Sequence, residues 1–364
     1  MWVARGLLRG RRMNAPLLPC VAIALAAVGC FAGVAPPGGD DDGAWSIADA
    51  IEYRELDDHP GCTTGGLDYA AAAIPGYDCA AKAYPFPAGT REDEDAPIVL
   101  LVHGNSDGPE AWERFEDGAP MLAERLAARG VRVYALDLRI DRVDDPQNNN
   151  DTENAARNVD HGWAVPLAQH LIEAVLAAEP DRQLSLVGFS LGVTTLRDAL
   201  RRIHAAGDVN VWPRLDDVVL LAGANHGVSS FARLCGKNPT MRGRVACQMG
   251  ARDNFSPTDF SLALNGPDHA YEAPCADGAT AYGDADCAGH RVVYTTVVMR
   301  DIDNGSYQDE FVSEASTALE GADNRNLELT DVDDSGYFFG GLLKNHYGAS
   351  RSAAALELVD AVIP

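Results

Sequence analysis

The chain has 364 residues, of which 46% are hydrophobic and 23% are charged, and its formal net charge at pH 7 is −25. These values are typical of a globular protein that is long enough for one large domain or two modest ones. Because nucleic-acid binding requires a basic surface to contact phosphates, a chain this acidic is not expected to bind nucleic acid.

The first 30 residues have the pattern of an export signal. Four arginines, at positions 5, 9, 11 and 12, precede an apolar run from Ala15 to Val28 that is short for a transmembrane helix and typical of a secretory signal. The run ends in AAVGC, which resembles the lipobox of bacterial lipoproteins and predicts lipidation of Cys30, with membrane attachment through it. Cleavage nearby by ordinary signal peptidase is the alternative. Both routes predict an exported protein, either an envelope lipoprotein or a secreted one.

A short linker and an edge region are predicted to precede one main domain. Residues 31–43 end in PPGGDDDG, which predicts a flexible tether. Residues 44–95 form an N-terminal region in which Ile51–Glu55 and Asp78–Tyr84 could add antiparallel strands to the edge of a sheet. The main domain is predicted to cover residues 96–364.

Within the main domain, short β-branched runs alternate with helical patterns, which predicts a mostly parallel central sheet with helices on both faces. The predicted elements are strands at 97–102, 131–136, 183–187, 217–221, 291–299 and 327–329, and helices at 111–129, 163–178, 191–205 and 353–362. Residues 225–290 interrupt the alternation between strands 6 and 7, counting the two edge strands. A segment of this length is predicted to be an insertion with structure of its own.

Six cysteines remain after the predicted signal. An even number in an exported protein predicts disulfides, and a metal site is disfavoured because no C-x-x-C or paired-histidine spacing accompanies these residues. We prefer pairing between sequence neighbours, since each pair brackets a loop-rich segment. The predicted pairs are Cys62–Cys79, Cys235–Cys247 and Cys275–Cys287.

The segment from Gly188 to Gly192 reads GFSLG and lies between a predicted strand and a predicted helix. This context is typical of a nucleophile elbow, a strained turn that exposes a serine at the positive end of a helix. Glycines are needed on both sides because a Cβ there would crowd the neighbouring strand or helix. Ser190 is therefore the predicted nucleophile, and a structural turn serine is the alternative.

A nucleophilic serine that attacks a carbonyl also needs N–H donors for the oxyanion. The backbone N–H of Leu191, directly after the nucleophile, is the first predicted donor. The second is the N–H of Asn105, in the loop that follows strand 97–102. His103, in the same loop, is predicted to be a packed histidine and not a general base.

Nine histidines could supply the general base. In the α/β-hydrolase fold, where elbows of this kind occur, the chain order is Ser, acid, His, so the base should follow the last strand. His346 meets this condition. His226, just beyond strand 217–221, is predicted to shape the loop, and His290 lies at the wrong end of a strand.

The sequence resembles secreted bacterial triacylglycerol lipases and esterases of the α/β-hydrolase superfamily, and it is similar also to extracellular polyhydroxyalkanoate depolymerases. The resemblance covers residues 96–364 and implies the α/β-hydrolase fold for this catalytic domain. The motifs that carry it are HG at 103–104, GFSLG at 188–192, LAGANHG at 221–227, the loop that begins at Asp309, and His346.

The resemblance also implies the acid. Three aspartates follow strand 291–299, namely Asp301, Asp303 and Asp309. The string from Asp309 to Ala322 resembles the acid loop of bacterial secreted lipases. Asp309 is therefore preferred, with Asp303 and Asp301 as the alternatives.

By this resemblance the protein is expected to hydrolyse carboxylic esters, such as acylglycerols or other lipids or polyesters, through an acyl-enzyme on Ser190. No metal or organic cofactor is expected. Residues 331–336, DVDDSG, echo the opening of a calcium loop, but Leu342 stands where the twelfth-position Glu is required, so a solvated acidic turn is favoured.

Several functional alternatives stay open at this point. The same three residues could hydrolyse a polyester such as a polyhydroxyalkanoate, or an amide, and the fold could also serve a non-catalytic surface lipoprotein. A lipase is favoured over a short-chain esterase because the insertion at 225–290 could form a lid or an acyl groove.

Overall fold

A computed structural model describes ten stretches of the chain: residues 81–104, 107–113, 119–136, 165–206, 211–229, 249–250, 258–277, 287–300, 309–328 and 344–364. The predicted signal at 1–30, the tether at 31–43 and the first predicted edge strand, Ile51–Glu55, lie outside these residues. So do the calcium-like loop and the cysteines at positions 30, 62, 79, 235 and 247.

Within the described residues, seven strands form one sheet in the order β1-β3-β2-β4-β5-β6-β7. Only β1 runs antiparallel to its neighbour, and the other neighbouring pairs are parallel. The strands are β1 (Ala81–Ala83), β2 (Ile98–Val102), β3 (Val133–Leu136), β4 (Leu184–Phe189), β5 (Leu215–Leu221), β6 (Val293–Arg300) and β7 (Asp323–Glu328). This sheet is the one that the sequence predicted, with β1 inside the predicted edge strand 78–84.

Helices cover both faces of the sheet. On one face α2 packs with α3, and on the other α1 packs with α7, where Nε of Arg125 donates to Oδ2 of Asp360 over 2.7 Å. The helices are α1 (Leu122–Ala128), α2 (Val165–Ala178), α3 (Leu191–Ala206), α4 (Asp259–Asn265), α5 (Glu314–Thr317), α6 (Lys344–Arg351) and α7 (Ala353–Val362). No helix in the described part of the chain is long and apolar enough to cross a membrane.

Strand β2 shows why the central strands are continuously apolar. Side chains alternate between the two faces of a strand, so Ile98, Leu100 and Val102 join the core under α2 and α3. Val99 and Leu101 join the core under α1 and α7. All five are at most 1% exposed, because helices cover both faces of a parallel sheet.

The predicted helix at 111–129 is shorter in the structure, and this prediction was wrong at its front. Residues up to Trp112 belong to a 3-10 turn, Pro109–Trp112, and the α-helix begins only at Leu122. Pro120 disfavours helical backbone at the residue before it, and the N–H of Met121 donates to the carbonyl of Glu113 instead.

Two further differences concern polar segments. Strand β7 begins at Asp323, four residues before the predicted start, and its first four side chains are exposed at the edge of the sheet. Helix α6, at Lys344–Arg351, was not predicted. Neither segment has an apolar period, and both are fixed by partners elsewhere in the chain: β7 by backbone pairing with β6, and α6 by the contacts described below.

The predicted insertion joins β5 to β6. Its described part contains α4, whose N-terminus is capped by Thr258 through a bond from the N–H of Ser261, and a 3-10 turn at Pro267–His269. A disulfide between Cys275 and Cys287 closes the segment ahead of β6, which confirms this one of the predicted pairs.

Candidate active site

Ser190 lies at the junction of β4 and α3, with backbone angle φ of 54°. This left-handed conformation is rare for residues other than glycine. Its N–H donates to the carbonyl of Leu221, the last residue of β5, over 2.8 Å. The tight turn therefore holds the serine side chain at the carboxyl edge of the sheet.

The flanking glycines allow this turn by permitting close approach. A Cβ on Gly192 would lie 2.3 Å from the carbonyl oxygen of Val102, and one on Gly188 would lie 3.0 Å from the backbone of Gly192. Real Cβ atoms essentially never lie closer than 3.0 Å to such neighbours. Only glycine at position 192 therefore allows the start of α3 to approach the end of β2 this closely. The steric requirement inferred from the sequence is present in the structure.

Ser190, His346 and Asp309 form a continuous chain of hydrogen bonds. The Oγ of Ser190 lies 2.8 Å from Nε2 of His346, and Nδ1 of His346 lies 2.8 Å from Oδ2 of Asp309. Because an ionised carboxylate only accepts hydrogen bonds, Nδ1–H of the neutral imidazole donates to it and Nε2 accepts from the serine hydroxyl. The three predicted residues are thus brought together in an arrangement that can remove the proton from Ser190.

The Asp309 carboxylate is held in place by its own loop. Its Oδ1 accepts from the N–H of Phe311 over 2.8 Å and from that of Val312 over 3.0 Å, while Oδ2 faces His346. The side chain is fully buried, so these backbone donors replace the water that an exposed carboxylate would have. Asp303 and Asp301, the alternative acids, lie outside the described residues.

The charges around His346 favour its protonated form. Burial lowers the pKa of the imidazole, but the charge and hydrogen bond of Asp309, together with the charges of Glu310 and Asp107, outweigh burial. The pKa of His346 is therefore raised above its usual value. The arrangement around this ring can therefore stabilise an imidazolium.

Glu310 is a further part of the site that the sequence analysis missed. Its two carboxylate oxygens accept from the backbone N–H groups of Asn345 and His346, over 3.0 and 2.8 Å. These groups lie in the first turn of α6, where helical N–H donors lack intrahelical partners. Glu310 thus fixes the start of the helix that carries His346, and burial raises the pKa of its carboxyl. The only signal in the sequence was its place directly after Asp309.

Aromatic rings set the orientation of the His346 imidazole. The rings of Phe189 and Phe311 lie with their centroids 5.0 Å from that of His346, and Tyr347 packs edge-on at 6.0 Å. His346 is 5% exposed. The imidazole therefore sits in a largely apolar enclosure that is open to Ser190 and Asp309.

Of the two predicted oxyanion donors, one lies within the described residues. Leu191 is the first residue of α3, so its N–H belongs to the first helical turn and needs no partner within the helix. Asn105 lies outside the described residues. The preceding Gly104 packs against Ser190, because a Cβ on Gly104 would lie 3.1 Å from the Cβ of Ser190. His103 is completely buried and its Nδ1 lies 2.8 Å from the carbonyl of Gly104, so it is a packed loop residue.

Two other histidines that the sequence analysis weighed have different partners. His290 donates from Nε2 to the carbonyl of Leu215, at the start of β5 and so at the opposite end of the sheet from Ser190. His226 follows β5 and lies 2.7 Å, through Nε2, from Oε1 of Glu272 in the insertion. Neither contact involves Ser190 or Asp309.

The sequence matches the model of the alpha/beta hydrolase family over residues 99–336. Among solved structures, the mature lipase BlEst2 of Bacillus licheniformis is similar at 17% identity and a TM-score of 0.46, over 78% of this chain and 97% of the lipase. Carboxylesterase CesB of Bacillus subtilis is similar at 13% identity and a TM-score of 0.36, over 78% of this chain and 91% of the esterase.

Phospholipase PlaB of Legionella pneumophila is similar at 16% identity and a TM-score of 0.38, over 61% of this chain and 44% of the phospholipase. The chain therefore spans less than half the length of that phospholipase. No curated protein sequence matches the chain significantly.

The family match covers well over half of the chain, from β2 to beyond β7. It includes the turn at Ser190 and the loop at Asp309, and the sheet order and the helices on both faces agree with it. The chain belongs to the alpha/beta hydrolase family.

Proposed function

We propose that this hydrolase is an exported serine carboxylic-ester hydrolase of the lipase type. The observation that carries the proposal is the 2.8 Å contact between Oγ of Ser190 and Nε2 of His346, continued by the 2.8 Å contact from Nδ1 to Asp309. A serine in a strained turn, hydrogen-bonded to a histidine that a buried carboxylate orients, is the arrangement that activates an otherwise weak nucleophile.

The first half of the proposed reaction is acylation. His346 takes the hydroxyl proton of Ser190 at Nε2 while Oγ attacks the ester carbonyl, and the resulting oxyanion accepts from the N–H groups of Leu191 and Asn105. Asp309 stabilises the imidazolium. The imidazolium then returns its proton to the leaving alkoxide, so the alcohol departs and the acyl group remains on Ser190.

The second half releases the acid. A water molecule gives one proton to Nε2 of His346 and attacks the acyl carbonyl, and the oxyanion donors stabilise the second tetrahedral intermediate. When this intermediate collapses, Oγ of Ser190 leaves and recovers the proton from His346. The products are one alcohol and one carboxylic acid for each ester and water consumed, and the enzyme returns to its starting state.

The insertion between β5 and β6 supports a lipase over a short-chain esterase. Segments of this length without regular alternation are often lids or binding loops. Its helix α4 has Leu262 48% exposed, which is unusual for a large apolar side chain in the described part of the protein. In the proposed lipase, the Leu262 side chain would contact the acyl chain of the substrate.

Labelling with a fluorophosphonate probe tests the nucleophile. We expect the wild-type protein to be labelled and Ser190→Ala not to be, because the probe reacts with an activated serine. Asp309→Asn should lower kcat on the order of 10⁴-fold, since the histidine loses its correct tautomer. Asp323→Asn, an exposed change on β7, is the control and should keep full activity. Failure to label folded wild-type protein would reject the serine hydrolase and favour a non-catalytic lipoprotein.

The pH dependence of kcat/KM tests Glu310 as a positioning residue. The base form of His346 is required, so activity rises as pH increases through the pKa of His346. Because the negative charge of Glu310 helps to raise that pKa, Glu310→Gln should move the acidic limb to lower pH and reduce kcat by roughly tenfold.

Glu357→Gln removes the same charge from an exposed position of α7 and should leave the pH profile unchanged. Loss of activity in Glu310→Gln without a shift of the acidic limb would show that Glu310 only caps the helix. The charges of Asp309 and Asp107 stay in place in both variants.

A panel of p-nitrophenyl esters from acetate to palmitate tests the substrate class. A lipase should show its highest kcat/KM on medium or long chains and a rate increase once the substrate exceeds its solubility. A maximum at acetate with no interfacial gain would contradict the lipase assignment. Faster hydrolysis of a poly(3-hydroxybutyrate) film, or of an amide analogue, would reassign the same three residues to a polyester depolymerase or an amide hydrolase.

We also propose that the protein is exported and lipidated at Cys30. The disulfide between Cys275 and Cys287 supports export, because structural disulfides are rare in the cytosol of most organisms. The mass of the mature N-terminal peptide tests this. Diacylglyceryl modification of Cys30 is expected, a free N-terminus nearby would indicate ordinary signal cleavage, and an uncleaved Met1 would contradict export through this signal.

A further inference from the structure

Three side chains that are not part of the hydrogen-bonded chain of Ser190 converge from two segments of the fold. They are His226, at the start of the insertion directly after β5, and His269 and Glu272, further along the same insertion. The Nε2 of His226, Nδ1 of His269 and one oxygen of Glu272 all lie within 4.8 Å of one another. Nε2 of His226 is 2.7 Å from Oε1 of Glu272, and Nδ1 of His269 contacts the same oxygen.

The hydrogen-bond partners of His226 leave Nε2 facing an acceptor. Its Nδ1 lies 3.3 Å from the carbonyl oxygen of Ser316, which can only accept, so this contact is a hydrogen bond in the tautomer that has its hydrogen on Nδ1. In the neutral ring, Nε2 then presents a lone pair, yet it points at a carboxylate oxygen that also presents lone pairs. Two acceptors in such contact require a cation between them, either a second ring proton or a metal ion.

We infer that His226, His269 and Glu272 form a binding site for a divalent transition metal, with Zn²⁺ as the ion that the ligands fit best. Two imidazoles and one carboxylate are a typical zinc set, with a water molecule as the fourth ligand. Calcium and magnesium prefer oxygen ligands, so two nitrogen ligands disfavour both. In a tetrahedral site, zinc bonds of about 2.0–2.2 Å place ligand atoms roughly 3.3–3.5 Å apart, so the oxygen of Glu272 would move away from both nitrogen atoms when the metal binds.

The exposure of the three side chains suits this role. Glu272 is 2% exposed, so its buried charge requires a positive partner, and His226 is largely covered. His269 is 57% exposed, which leaves one side of the cluster open for a water ligand. Its backbone and that of Asp268 are both left-handed, with φ of 64° and 51°, so the turn holds the imidazole over Glu272 in a conformation that such residues rarely adopt.

Contacts behind the ligands orient them as is typical at metal sites. The carbonyl of Ser316 receives the Nδ1–H of His226 and also its backbone N–H, over 2.9 Å. The second oxygen of Glu272 accepts from the N–H of Glu320 over 2.5 Å. Metal-bound histidines usually donate their other ring N–H to a carbonyl or carboxylate, and ligating carboxylates are hydrogen-bonded in turn.

Both supporting groups belong to the loop that starts at Asp309. A metal ion at this site would therefore join three segments: the start of the insertion after β5, the part of the insertion ahead of the disulfide, and the loop that supplies the acid. The inferred role is structural, because the ion would hold the insertion against that loop.

Metal analysis of the purified, oxidised full-length protein tests the site. After removal of metal with a chelator and addition of Zn²⁺, we expect one tightly held zinc per chain and a rise of roughly 3–8 °C in the unfolding midpoint. Replacement by Co²⁺ should give the visible absorption of a four-coordinate ion. His269→Ala, which removes an exposed ligand, should weaken zinc binding by at least about 100-fold and abolish the rise in midpoint.

His204→Ala is the matched control, because His204 lies on α3 and outside the cluster, and it should keep the wild-type zinc response. Absence of bound zinc and of any midpoint shift in the wild type would show an ion pair only. An unchanged zinc response in His269→Ala would place the metal elsewhere, and each of these two results would overturn the inference. Fluorophosphonate labelling of the metal-free wild type is scored separately, so failure of the zinc site leaves the proposed function untouched.

Discussion

The backbone of Ser190 adopts a conformation that costs a residue of this type about 1–3 kcal/mol, and the surrounding sheet holds it there. On one side its N–H is bound to the end of β5, and on the other α3 begins so close to β2 that only glycine fits at position 192. Since the turn is fixed by two neighbouring strands, the Cα–Cβ bond of the serine has a fixed direction. The hydrogen bond to His346, and through it the contact with Asp309, depends on that direction.

The second constraint is the loop that begins at Asp309, because one short segment fixes several groups at once. Asp309 binds the ring of His346 and Glu310 binds the backbone of the helix that carries it. Further along, Ser316 and Glu320 bind His226 and Glu272. A shift of this loop would disturb Asp309, His346 and the contact with the insertion together. This is the physical reason to regard the histidine and glutamate cluster as a brace for the loop.

Sequence patterns succeeded where a local rule dominates. The buried strands could be predicted because strands covered on both faces must be apolar throughout. The final helix was predicted at Ala353–Val362, where the structure has it, from its helical pattern. The pattern failed at the first helix, where Pro120 and a turn at Glu113 shorten it to Leu122–Ala128. It also failed at the front of β7 and at α6, whose polar residues carry no period. Backbone pairing with β6 and the carboxylate of Glu310 stabilise these two segments, and both partners are distant in sequence.

The sequence by itself determined the α/β sheet, the strand-to-helix turn at Ser190 and the candidates His346 and Asp309, because each depends on residue types and their order along the chain. Only the tertiary structure decided which groups meet. It placed Asp309 against the ring of His346 and Glu310 against the start of the helix that carries His346. It also brought His226 to His269 and Glu272. Contacts between residues far apart in sequence arise from the packing of whole elements, which no local pattern records. For Ser190 the local pattern was sufficient to predict the turn, since its glycines and the flanking strand and helix are consecutive in sequence, while contacts with β2 and β5 hold that turn in the fold.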